Sequence, residues 1–129
     1  MRAVRPPGQK RDLQTKRLAP SGACGLDPEL LEMAGVVART IVDVPPLTVT
    51  LVGLAPGATL PAHAPVGPTV LQVLRGDVSF HAGDDSRELR AGDVLATALG
   101  VERALTSGGG ACFLMTLADP AGCEARHSR

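Results

Sequence analysis

Few side chains in this 129-residue sequence could do chemistry, and most stand alone. His63, in Ala62-His63-Ala64-Pro65, is an imidazole at the end of an apolar stretch, able to hydrogen-bond a ligand, hold a metal or move a proton near neutral pH. Arg103 interrupts Val101-Glu102-Arg103-Ala104-Leu105. If that segment is a strand, its period of two puts Val101, Arg103 and Leu105 on one face and Glu102 on the other. A guanidinium among apolar neighbours needs an answering charge, because burying it unpaired costs several kcal/mol. A ligand carboxylate or phosphate would match its planar fork. Alternatively, Arg103 reaches the rim of the structure and meets only water.

The remaining candidates carry bland readings. Asp84 and Asp85 form a solvated turn, not an acid–base pair, and Asp93 stabilises the turn after Gly92. Gly108-Gly109-Gly110 precedes a strand and not a helix, so it does not cradle phosphate. Cys24, Cys112 and Cys123 are odd in number and fit no zinc spacing, which argues against a disulfide framework. Cys112, in Ala111-Cys112-Phe113-Leu114-Met115, is expected to be a buried inert thiol, and Cys123 the reactive one. Met33 and Met115 read as core fillers, and no Ser–His–Asp arrangement can be drawn.

The elements that must position His63 and Arg103 are strands. Asp27-Pro28-Glu29 starts one short helix that Gly35 stops. Strands follow over Leu47–Leu54, Thr69–Arg75, Val78–His81, Arg87–Arg90, Val94–Thr97, Val101–Leu105 and Ala111–Ala118. Gly76-Asp77 has the chemistry of a two-residue hairpin loop. Thr69, Leu71, Val73 and Arg75 share one face by parity, with Val78 and Phe80 inward and His81 outward. Such short strands, with 15 Gly and 11 Pro, predict an antiparallel sandwich or barrel in one domain.

Phe80 and Phe113 are the only aromatic residues, and no 18-residue apolar run exists to cross a membrane. Net charge is zero, yet residues 1–20 hold Arg2, Arg5, Lys10, Arg11, Lys16 and Arg17 against Asp12 alone. Without Trp or Tyr for stacking, this basic arm reads as a solvated extension and not a nucleic-acid binder. Residues 1–25 are thus expected to be an irregular extension, of which 1–20 are dispensable for folding, and 26–129 the domain. Lacking a secretory h-region, the chain is expected in the cytoplasm.

Over residues 45–118 two turn-linked segments resemble the motifs of the cupin superfamily. Gly57 is followed by five residues and then His63, and Gly76 closes the first motif in register; Pro65 and Thr69 stand where that motif has its second His and its Glu. In the second motif Gly92 and Gly100 keep their places, while Ala98, Arg103 and Ser107 replace Pro, His and Asn. The resemblance implies an all-β, double-stranded β-helix (jelly-roll) barrel behind a short N-terminal helix and extension.

In metal-binding cupins the motif His and Glu residues hold one divalent metal. Only His63 of those four positions survives here, so no cofactor is expected and the metal site reads as degenerate. The resemblance then implies a small, anionic ligand in the barrel mouth, contacted by His63, Thr69 and Arg103, with Leu71, Val73 and Phe80 as apolar wall. The alternative is a cupin enzyme (isomerase, lyase or metal-dependent dioxygenase) using His63. Apolar residues on both faces of strands 41–54 point to a homodimer, unless segment 26–37 folds over them.

Overall fold

The computed structural model describes residues 13–15, 17, 26–63, 67–98 and 101–119. The helix α1 (Pro28–Ala34) forms as its caps dictate: the Asp27 carboxylate accepts from the backbone N–H groups of Glu29 and Leu30, and Gly35, at φ 82°, ends it. Among the described residues no helix is long and apolar enough to cross a membrane.

Among the described residues eight strands follow: β1 (Val36–Val44), β2 (Leu47–Leu54), β3 (Thr59–His63), β4 (Thr69–Ala82), β5 (Asp85–Arg90), β6 (Val94–Thr97), β7 (Arg103–Thr106) and β8 (Ala111–Ala118). All pairings are antiparallel, in the order β1-β2-β8-β4-β7-β3, with β5 and β6 also on β4. The first half of β4 pairs with β6 and β8, and its second half with β5 and β7. The sheet therefore curls into two facing halves. Their inner faces meet in one core, with Val52, Leu54, Leu71, Val73 and Phe113 on one side and Val78, Phe80, Leu89 and Leu105 on the other.

Two expectations of local structure are corrected. Gly76-Asp77 is not a hairpin loop, because β4 runs unbroken through it. Gly76, at φ 83°, is instead where the strand crosses between sheet halves, so close to Gly110 that a Cβ there would strike the Gly110 carbonyl oxygen. Arg75 does not share the inward face of Thr69, Leu71 and Val73. The ladder to β8 shifts register between Val73 and Arg75, and Arg75 is exposed. The strand β3 was not legible as a strand at all, since Pro61 interrupts a five-residue element whose ladder to β7 also shifts register between Leu60 and His63.

A second apolar cluster, Ile41, Leu51 and Cys112 with Leu26, Val42, Val49, Leu74 and Leu114, forms on the outer side of the first half. Segment 26–37 covers part of it, the Leu26 and Leu31 side chains closing over Gly53. The extension is not wholly free, either. The Gln14 side-chain amide donates to the Asp43 carbonyl at 2.7 Å and accepts from the Asp43 N–H at 2.9 Å, filling a gap in the open edge of β1. Cys112 is buried as expected but is not a free thiol; it is disulfide-bonded. The odd cysteine count therefore does not exclude a disulfide, contrary to the expectation from sequence. Cys24, Cys123, His127 and Gly100 lie outside the described residues.

Candidate functional site

The strand β7 sets the site. Its side chains alternate between buried and half-buried, so Arg103 faces inward on the same side as Leu105, as the period of two requires. Arg103 is 1% exposed, which excludes the rim position and makes it the largest fully buried side chain described. Among the described residues no carboxylate answers it. Nη2 donates to the thioether Sδ of Met115 at 3.2 Å, while Nε and Nη1 are buried without a hydrogen-bond partner. Sulfur is a weak acceptor and carries no charge. Burial accordingly lowers the pKa of Arg103 from its usual value.

The inward and outward parity of β4 holds at these positions. Thr69, Leu71, Val73 and Phe80 are all buried, and His81 is exposed. The Thr69 hydroxyl donates to the Gly67 carbonyl at 3.3 Å. Leu71 stands in register with Met115 on one side and Leu95 on the other; one step along the same face, Thr69 stands opposite Leu117 and Thr97. The Thr97 hydroxyl is a further buried group without a partner. On the neighbouring strand β3 the backbone of His63 pairs directly with Arg103, so the two motif positions do come together; of His63 only the backbone is described.

Met115 is the contact that sequence reasoning missed. It reads as a core filler, yet it faces the guanidinium. A signal existed: Phe113, Met115 and Leu117 share one face of a strand, and only one of them has an atom able to accept a hydrogen bond. Ser107 lies apart, at the other end of β7, where its N–H donates to the Ala58 carbonyl and its carbonyl accepts from the Gly57 N–H. A cleft of about 400 Å³ at that end, lined by Leu54, Pro56, Arg75, Gly109 and Gly110 among others, touches none of the predicted site residues.

Three solved structures show the same architecture. A cupin superfamily protein from Desulfitobacterium hafniense superposes with TM-score 0.70 at 18% identity, over 84% of this chain and 95% of that one. A cupin-like protein from Thermotoga maritima gives 0.62 at 22% identity, over 67% and 70%. An RmlC-like cupin with a double-stranded β-helix fold, from Methanocaldococcus jannaschii, gives 0.61 at 15% identity, over 65% and 80%. The protein has the cupin fold.

No protein-family model matches this chain, and no curated protein matches it in sequence. Arg103 places a fixed positive charge where the motif has a His, and the described residues contain no group of three His, Cys, Asp or Glu side chains able to hold a metal.

Proposed function

We propose that this cupin binds a small organic anion inside its barrel, with Arg103 as the anchor and no metal taking part. The observation that carries the reading is the pair of buried, unpartnered nitrogens on Arg103. Protein interiors leave few polar groups unpaired, and an orphaned charged donor is rarer still. A carboxylate supplies both the missing charge and the missing acceptors. Thr69, Leu71, Val73 and Phe80 give the ligand a mostly apolar surrounding. A thermal-shift screen of organic acids on wild type and Arg103→Ala tests this. Stabilisation of wild type alone supports the anchor; equal responses, or none, overturn it.

A second reading is enzymatic: an isomerase, lyase or dioxygenase using His63. It draws on the register that sets the His63 backbone opposite Arg103, which brings a residue type capable of acid–base work to the strand beside the anchor. Stoichiometric metal in protein purified without chelator would favour it.

The assembly proposed is a homodimer. On the outer face of the first sheet half, register aligns Val49 with Thr116 and Val70, and Leu51 with Leu114 and Gln72. Leu47 on this face is 47% exposed and Val94 61% exposed. The exposed apolar side chains at the part of this face that segment 26–37 leaves open are suited to a matching copy.

A further inference from the structure

The anchor proposed for Arg103 does not by itself decide which anions enter. The choice among them rests on that reading and is set by the donors the guanidinium leaves free. A guanidinium presents its N–H groups as two forks, one shared by Nε and Nη2 and the other by Nη1 and Nη2. Nη2 belongs to both. Its donation to Met115 Sδ at 3.2 Å uses one of its two N–H groups and so closes one fork. Nε and Nη1 are the unpartnered nitrogens, so four of the five N–H groups stay free: the remaining fork keeps two parallel ones, and the other two lie outside it. That arrangement accepts one planar, two-oxygen group.

Charge gives the same limit independently. Among the described residues the buried polar or charged side chains are Thr69, Arg103 and Ser107, so Arg103 is the one buried charge. The thioether leaves its full positive charge uncompensated. One carboxylate neutralises it, whereas a second would bring an unpaired negative charge into the same interior. Leu71 and Leu105, 2% and 0% exposed, surround the site with hydrocarbon and favour an alkyl body over further polar groups.

We infer that the ligand class is a monocarboxylate with a short apolar body, and that Met115 is the specificity-determining residue that restricts the site to one carboxylate. Isothermal titration of the full chain with butyrate, succinate and sulfate tests both parts. Butyrate is expected to bind wild type at least about tenfold more tightly than succinate or sulfate. This comparison needs no variant. Arg103→Met loses binding of all three. Met115→Leu conserves volume and frees the second fork, and is expected to narrow the preference for butyrate over succinate severalfold. Succinate or sulfate binding wild type as tightly as butyrate overturns the monocarboxylate class while leaving the anchor standing. An unchanged preference in Met115→Leu overturns the role of Met115. Butyrate binding Arg103→Met as well as wild type removes the anchor, and the inference with it.

Discussion

Arg103 on β7 and Met115 on β8 meet across the barrel, the guanidinium Nη2 donating to the thioether sulfur at 3.2 Å. This contact joins the two halves of the sheet at the point where the interior holds its one described buried charge. It also sets a conflict between stability and binding. A charge kept in the core with a neutral acceptor destabilises the free protein, and an anion relieves that cost.

Replacing Arg103 by a hydrophobic residue of similar length should therefore stabilise the unliganded protein. Arg103→Met is expected to leave stability unchanged or raise it by roughly 1–4 kcal/mol, the range seen when buried charges give way to packed apolar groups. Arg103→Ala leaves a cavity and should melt lower than Arg103→Met. Denaturant unfolding in anion-free buffer measures both. A large loss in Arg103→Met would mean that the guanidinium is better satisfied than its hydrogen bonds show.

Binding of a carboxylic acid should depend on pH through the ligand. Burial lowers the pKa of Arg103, so the free protein holds that proton less tightly than the unfolded chain does. A bound carboxylate favours the charged form and raises the pKa again. A guanidinium nonetheless stays protonated across the working range. Affinity is thus expected to be flat above about pH 6 and to fall as the pH drops through roughly 4 to 5, where carboxyl groups take up protons. Titrations at a series of pH values check this; a loss of affinity on going from pH 6 to pH 8 would contradict it.

Gly76→Ala should be far more damaging than Gly83→Ala. Both glycines have positive φ, which costs an L-residue roughly 1–2 kcal/mol. At Gly83 the added methyl meets open space, while at Gly76 it meets the Gly110 backbone. The expected loss at Gly76 exceeds about 3 kcal/mol, the exceptional end of single substitutions. Equal melting temperatures for the two variants would refute the close approach of the two segments.

Light scattering at micromolar concentration is expected to give twice the 13.2 kDa chain mass, and Leu114→Glu, in the middle of the outer apolar face, to give a monomer. A wild-type monomer would end the dimer reading.

Reduction should lower stability by about 2–4 kcal/mol, the usual contribution of a disulfide. Intact mass before and after reduction, together with melting in each state, reports whether Cys112 is bonded in solution.

The glycines and the alternation of β7 made the fold and the anchor legible from sequence. Gly57, Gly76 and Gly92 keep the motif spacing, and in the structure each sits at positive φ, at 80°, 83° and 96°, where another residue would be strained. Spacing between such points is a backbone property, and it shows in one sequence. The crossing at Gly76 did not show, because the same Gly-Asp pair also suits a hairpin, and only the approach of Gly110 decides between them. Met115 was hidden for a similar reason. Its strand face marks it as the one side chain there with an acceptor atom, but the donor, Arg103, reaches it from the opposite sheet half, and that pairing is not in the local pattern.

The place of β8 has a consequence for how the chain comes into being. This last described strand lies between β2 and β4, and pairs with both along most of its length. During synthesis on the ribosome, β2 and β4 must emerge and wait for β8, their inner edges unpaired and their Leu and Val side chains in water. Productive closure depends on contacts distant in sequence, so folding is expected to be slow and the nascent chain to rely on protection from aggregation until β8 has emerged.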